Sequence, residues 1–453
     1  MKHQVFLASM LGLSLLAAVA HATNGYFTDG VGVKSMGLAG AGSADPSETM
    51  IMATNPAGLA FVPDDLEVGL ELFSPDRSYS TSASQADGEG GAFTIGPNSL
   101  VSADRLFPIP YIAIRRRIDA QNSLGVAFYG RGGMATSWSG GTATFAAGPG
   151  APVRTLSGTF GAGDAGVNLM QAFLNVGFAH LSADRHFAVG VSLIFAAQRF
   201  TANGLGAFAG YTEAFAASGG TVMPRALSNT GADMAYGGGA SVGIEWRPLP
   251  RWAVAAAYTS KMYMSRFTRY SDLFAGHGAF DIPANATFGL TFKPRPSLAL
   301  DFDTQRIWYG SIAAIADPVQ NIFGCPTAGA GGTDLADCLG GATGAGFGWQ
   351  NMTIYKFGVN WRVDPTWTVR FGASHGAQPI PSSQMTFNIL APGVIEDHFA
   401  LGFTHHGARG DFSAAFTYAP TQTISGPNTF DPTQTIRLSM HQFIVDFGYA
   451  WKT

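Results

Sequence analysis

From Phe187 to Phe195 every second residue is large and apolar: Phe187, Val189, Val191, Leu193 and Phe195 stand against Ala188, Gly190 and Ser192. Successive side chains of a strand point to opposite faces, so this segment has one greasy face and one small or wet face. The same alternation sets Leu66, Val68, Leu70 and Leu72 against Glu67, Gly69 and Glu71, and Val242, Ile244 and Trp246 against Ser241, Gly243 and Glu245. It closes the chain, where Phe443, Val445, Phe447, Tyr449 and Trp451 oppose Gln442, Asp446 and Gly448. Fourteen segments are expected as strands: 66–73, 111–116, 123–129, 172–180, 187–200, 234–246, 252–263, 287–292, 297–306, 353–362, 367–375, 398–404, 412–418 and 437–451.

Only 12% of the 453 residues are charged, about half the share of a soluble domain. Beyond the first twenty-odd residues there is no apolar run of about 18 residues that could span a bilayer as a helix. Apolar surface on this scale meets lipid through a closed barrel, whose strands satisfy every backbone group with a neighbour. The expected fold is therefore all-β: a transmembrane antiparallel barrel of about 14 strands, an even number as such barrels require.

The connections alternate too. Short polar turns at 182–185, 247–250, 293–296, 363–366 and 407–410 interleave with long Gly- and Ala-rich segments at 80–105, 138–168, 201–233, 265–283, 307–349, 376–396 and 420–434. Short periplasmic turns and long outer loops are the asymmetry of outer-membrane barrels.

Residues 1–22 read as a signal peptide: Lys2 and His3 start it, Val5–Ala20 is apolar, and Ala20-His21-Ala22 offers small residues for cleavage. Residues 64–453 are the barrel, and 23–63 lie between. That stretch is rich in Gly and has two cap-and-proline devices, Asp45-Pro46 with Glu48 following, and Asn55-Pro56 before Ala57-Gly58-Leu59, each of which predicts a short helix. Tyr26, Phe27, Leu38, Met50, Met52, Leu59 and Phe61 make it too apolar for a solvated leader. A helical hatch folded inside the barrel would bury these residues and fill a lumen that is otherwise wide at this strand number.

Cys325 and Cys338, the two cysteines, share one Gly-rich segment and are expected to form a local disulfide outside the cytoplasm. No His or further Cys there has metal-ligand spacing. The net charge of -4 and the lack of a basic stripe argue against nucleic acid as a partner. Of His375, His398, His405, His406 and His441, none stands in a recognisable nucleophile setting, so neither catalysis nor a cofactor is expected.

Asn24-Gly25-Tyr26-Phe27 through Gly37-Leu38-Ala39-Gly40-Ala41-Gly42, the hatch motif Asn55, Pro56 and Ala57, and the fourteen strands that follow resemble the FadL/TodX family of outer-membrane transporters for hydrophobic compounds. The resemblance implies a monomer in outer-membrane lipid and lipopolysaccharide that carries hydrophobic small molecules, long-chain fatty acids first and aromatic or alkane hydrocarbons as the alternative. It implies capture in an apolar groove of outer loops, a pocket above the hatch, and lateral exit at a kink in the third strand. Phe208, Phe215, Leu273 and Phe274 are the groove candidates, and Gly130, Gly132 and Gly133 the kink candidates, with an ordinary strand end as the other reading. Lys356 and Arg370, with Arg362 and the donor Gln198, face the lumen by parity and could read a carboxylate; they could equally form a charge ladder with Glu67, Glu71, Glu245, Asp301 and Asp303. An open porin, an outer-membrane enzyme and an adhesive barrel are the rival readings.

Overall fold

A computed structural model of the chain describes residues 24–146 and 150–452; the expected signal peptide lies outside the described residues. Fourteen long strands form one ring: β1 (Asp65–Thr81), β2 (Phe107–Arg117), β3 (Asn122–Trp138), β4 (Ala165–Leu181), β5 (Phe187–Asn203), β6 (Asp233–Leu249), β7 (Trp252–Thr259), β8 (Asn285–Arg295), β9 (Leu298–Ile307), β10 (Met352–Arg362), β11 (Trp367–His375), β12 (Asp397–His406), β13 (Gly410–Asn428) and β14 (Asp431–Lys452). Each pairs antiparallel with its sequence neighbours, and β14 closes on β1 from Asp65↔Lys452 to Thr81↔Ile436. Closure leaves no edge strand, and among the described residues the one long stretch of wall without a partner is the start of β2 on its β3 side.

The alternation seen in the sequence sorts the side chains as expected. Val191, Leu193 and Phe195 of β5 face lipid at 53–61% exposure, whereas Ala188 and Ser192 are buried. On β14, Phe443, Phe447 and Trp451 are exposed while Gln442 and Asp446 are buried inside.

Several strands run past their expected ends. β1 continues through Pro75 to Thr81. Pro75 sits beyond the last β1–β2 pair, Phe73↔Phe107, and before Ser78↔Val101, where the short strand Ser99–Val101 takes over. Its missing N–H therefore costs no ladder bond on that side. β13 and β14 likewise continue through most of the expected loop 420–434 as a hairpin joined by Thr429 and Phe430, with a register shift between Ala419 and Gln422 absorbing Pro420. A further small sheet of Thr94–Ile95, Thr142–Ala146 and Val153–Ser157 forms within the outer loops.

Residues 24–62 lie against the inward faces of the ring. Helix Val33–Met36 packs on β12–β14, the 3-10 turn Thr49–Ala53 on β2–β4, and the 3-10 turn Pro56–Ala60 on β3–β6. Room for the last of these comes from inward-facing glycines on four adjacent strands. A Cβ on Gly125 or Gly177 would meet Leu59 at 2.9 and 3.1 Å, one on Gly190 would meet Pro56 at 2.3 Å, and one on Gly243 would meet Asn55 at 2.1 Å. Asn55 caps its turn as the sequence predicts, accepting from the Ala57 N–H at 3.1 Å, and its amide donates to the Ser43 carbonyl at 3.1 Å. The Asp45-Pro46 device starts no helix. The Asp45 carboxylate is drawn instead to Lys293, 2.6 Å away, and to the Asn360 amide at 3.2 Å. Glu48 serves Val33–Met36, a helix the sequence reading did not foresee, by accepting from the N–H groups of Lys34 and Ser35 at 2.9 and 2.8 Å.

Candidate ligand cavity and wall opening

Four long outer loops converge over the ring and line an apolar pocket. The β5–β6 loop contributes Leu205, Phe208 and Leu227; the β7–β8 loop Leu273 and Phe274; the β9–β10 loop Leu339 and Phe347; and the β11–β12 loop Phe387 and Leu390. Val167 of β4 and Phe200 of β5 complete the wall. None of its lining residues is ionisable. Phe208 is its hub, with ring centroids 5.3–6.3 Å from Phe93, Phe160, Tyr211, Phe387 and Phe430.

Three of the four groove candidates, Phe208, Leu273 and Phe274, line this cavity. Phe215 does not; it is half-buried on the loop helix Glu213–Ala217. The contribution of the β9–β10 and β11–β12 loops escaped sequence reading, although Phe347, Phe387 and Leu390 are bulky apolar residues in otherwise Gly-, Pro- and Ser-rich loops. Cys325 and Cys338 are disulfide-bonded. Beside the bridge, Leu339 donates its N–H to the Tyr211 carbonyl and accepts from the Glu213 N–H, both at 2.9 Å, which ties the stapled loop to the β5–β6 loop.

Leu390 also lines a smaller pocket with Arg77, Met134, Ala135 and Trp349. Arg77 points inward from β1 and is 1% exposed. Its guanidinium lies 5.9 Å from the ring centroids of both Phe73 and Phe107. Nη1 reaches only the Asp104 backbone carbonyl, at 3.5 Å, and Nη2 has no hydrogen-bond partner among the described residues. The sequence reading missed Arg77 because β1 was expected to stop at Phe73; extending the odd-numbered parity of Glu67 and Glu71 would have found it.

Lys356 and Arg370 are buried in the lumen, but they face the N-terminal segment and line neither cavity. Lys356 donates to the Asp29 backbone carbonyl and stands 3.7 Å from the Asp29 carboxylate. Arg370 donates to the Thr404 hydroxyl at 2.7 Å. Arg362 is not a lumen residue: it is exposed at the turn end of β10 and donates to the Pro365 carbonyl. Gln198 is buried opposite Gln171.

Met134 and Ala135 follow the glycine cluster of β3. This cluster is no strand end, since β3 continues to Trp138. Gly130 pairs with Ala172 and Gly133 with Met170, so Arg131 and Gly132 bulge between them. Gly132 has φ +104°, a conformation that L side chains rarely adopt. The Gly133 N–H, freed from the ladder, donates to the Tyr26 carbonyl at 3.0 Å. Arg131 reaches the Ala53 carbonyl at 3.0 Å, a second tie to the N-terminal segment.

Across from the bulge, β2 carries prolines where its pairing with β3 stops. β2–β3 pairing ends at Ile112↔Phe128, while β1–β2 pairing continues to Phe73↔Phe107. Pro108 and Pro110, two apart, remove donors from one and the same edge of β2, and proline is tolerated only on an edge whose N–H groups are not needed. The edge toward β3 is the one that loses its pairing. Sequence reading pointed to the glycines of β3 and overlooked these prolines.

The family of outer-membrane transport proteins described as OMPP1/FadL/TodX matches residues 13–425. No curated protein matches. Among solved structures the chain resembles a FadL homologue of Pseudomonas aeruginosa (15% identity over 94% of this chain and 99% of that one, TM-score 0.63). It also resembles the Pseudomonas putida toluene transporter TodX (14%, 95% and 100%, 0.61) and the Ralstonia pickettii toluene transporter TbuX (14%, 94% and 99%, 0.53). Identities this low speak for the shared fold, whereas the family match spans nearly the whole chain. This chain belongs to the FadL/TodX family, the outer-membrane β-barrels through which Gram-negative bacteria transport hydrophobic compounds.

Proposed function

We propose that this protein carries long-chain fatty acids passively across the outer membrane, with residues 23–63 as the hatch. The observation that supports a carboxylate-bearing cargo is Arg77, a buried guanidinium with an unpartnered Nη2 beside an apolar cavity. The Asp104 and Asp76 carboxylates attract Arg77 without bonding it, so Nη2 is left without an acceptor among the described residues, and a ligand carboxylate would supply one through a charge-assisted bond. The acyl chain would lie against the apolar lining of the larger pocket, once its loops part, and each CH₂ buried there contributes about 0.8 kcal/mol. Leu390, shared by both cavities, then separates tail from head.

Exit is lateral, through the unpaired stretch between β2 and β3. An apolar molecule released there enters the bilayer without crossing the aqueous periplasmic end, so partitioning alone drives the transfer. No catalytic role is assigned. His398 does share a hydrogen bond with Ser374 at 3.1 Å, but Asp29 bonds the serine and not the imidazole, so the group lacks the orientation of a triad.

Uncharged aromatic hydrocarbons are the second reading, favoured by the non-ionisable lining of the main cavity and by the toluene transporters among the similar structures. Equilibrium binding of a long-chain fatty acid, an alkane and toluene to the purified protein and to Arg77→Met separates the two. Tighter binding of the fatty acid, weakened at least tenfold in Arg77→Met, supports the first reading. Equal binding of uncharged compounds by both proteins supports the second.

A further inference from the structure

Three short turns at the periplasmic end, at 182–186, 247–251 and 293–297, are knitted together by their backbones. The Arg247 N–H donates to the His186 carbonyl at 2.7 Å, the Lys293 N–H donates to the Arg251 carbonyl at 2.8 Å, and His186 Nδ1 lies 2.9 Å from the Arg247 carbonyl. Between them opens a cleft of about 200 Å³ lined by Arg185, His186, Arg247, Arg251, Trp252 and Lys293. Four of these six carry a full positive charge.

The charges are not equally committed. Arg247 is held by Glu245 at 2.8 Å and Lys293 by Asp45 at 2.6 Å. Arg185 and Arg251 have no carboxylate in ion-pair range among the described residues. Asp184, the acid of these turns, is occupied by the Ser182 hydroxyl at 2.5 Å and the His186 N–H at 3.2 Å. The cleft therefore keeps two uncommitted guanidinium groups, whose planar donor forks match phosphate oxygens.

Its position in the membrane selects the source of that phosphate. Phe187, Trp246, Leu249 and Trp252 are exposed around it, and the lipid-facing row Val189, Val191 and Leu193 runs outward from Phe187. Aromatic residues at the end of such a row mark the interface between hydrocarbon and headgroups. A molecule anchored in the cleft by a phosphate can thus lay its acyl chains along β5 and β6.

We propose that this cleft binds the phosphate of an anionic phospholipid in the inner leaflet of the outer membrane, with Arg185 and Arg251 as the contacting residues. The site is separate from the loop cavities and does not depend on the identity of the cargo.

The test titrates the full-length protein, in neutral detergent, with short-chain phosphatidylglycerol, phosphatidylcholine and inorganic phosphate, counting adducts by native mass spectrometry. Phosphatidylglycerol is expected to bind at least tenfold more tightly than phosphatidylcholine, and Arg185→Gln/Arg251→Gln to erase that preference. The variant must keep the heat-modifiable gel mobility of a folded barrel; if it does not, each single variant is tested and is expected to lower the preference at least threefold. Equal binding of the two lipids, or a preference that survives in the folded variants, overturns the proposal. So does displacement of phosphatidylglycerol by an equal concentration of inorganic phosphate, which would make the cleft a free-anion site.

Discussion

The backbone N–H of Gly133 donates to the carbonyl oxygen of Tyr26 at 3.0 Å, across 107 positions of sequence. Gly133 still stands opposite Met170 of β4, but its N–H bonds the N-terminal segment, so the bulge of β3 and that segment share one hydrogen bond. Whatever moves Tyr26 acts directly on the bulge.

Gly132→Val tests that coupling. At φ +104° a β-branched residue is strained, and its Cβ would stand 2.5 Å from the Gln171 side-chain oxygen and 2.9 Å from the Tyr26 carbonyl. Such strain costs about 1–3 kcal/mol. Uptake of the cargo by cells carrying the variant should fall at least tenfold, while equilibrium binding to the purified protein should change less than twofold. Normal uptake would show that the cargo leaves elsewhere.

Lys356→Met removes the cation beside Asp29 and leaves a buried carboxylate unpaired. Breaking a buried pair from one side costs about 3–5 kcal/mol. The cost should fall on the N-terminal segment: faster amide exchange over 24–36, and higher ion conductance in planar bilayers, with cargo affinity unchanged because Lys356 lines neither cavity. Unchanged exchange would mean that the remaining contacts suffice to hold the segment.

Cys325→Ser/Cys338→Ser opens a loop whose cysteines are 13 residues apart. Chain entropy assigns such a staple about 3 kcal/mol. Because Leu339 adjoins the bridge and lines the main cavity, cargo affinity should fall about tenfold and the loop should become sensitive to protease. The barrel's Tm should hold, since no strand depends on this loop.

Asp431 sits at the tip of the β13–β14 hairpin, well outside the membrane. Burial pushes its carboxyl up, but hydroxyl donors from Ser84, Thr433 and Thr94 outweigh this and hold it below the usual carboxylate range. A lowered folded-state pKa contributes stability above the unfolded value, about 3.9, and that stability is lost as pH falls through the folded value. Protection against amide exchange, taken relative to the intrinsic rate at each pH, should therefore be high at the tip of the hairpin and at 84–94 at neutral pH and be lost as acid protonates this carboxylate, and Asp431→Asn should show low protection throughout. A wild-type contact insensitive to acid would place the holding force elsewhere.

The fourteen strands were legible because a barrel wall demands the same thing of every strand: apolar residues toward lipid and small or polar ones inward, at a period of two. Leu193 and Ser192 meet those demands with neighbouring residues alone. Strand ends were less legible where proline intervened. The expected strands 66–73 and 412–418 end just before Pro75 and Pro420, yet the tolerance for proline depends on whether a neighbouring strand needs its N–H, which local sequence does not record. The helix start at Asn55 was readable because its cap is local, and the one at Asp45 failed because Lys293, 248 positions away, captured the same carboxylate.

The candidate site divides along the same line. That apolar loop residues would gather was evident from Phe208, Leu273 and Phe274. Their joining to Phe347, Phe387 and Leu390 required the folded loops. The parity that puts Lys356 inside could not say that Asp29 meets it there, nor that Arg77 is left with an open donor beside a cavity. By itself the sequence determined the barrel, its two ends and a glycine-rich third strand, because these follow from periodicity and local turn chemistry. Tertiary structure alone decided which buried charges are satisfied and where β2 and β3 lose their pairing, because both depend on which distant backbone and side-chain groups arrive opposite one another when the ring closes.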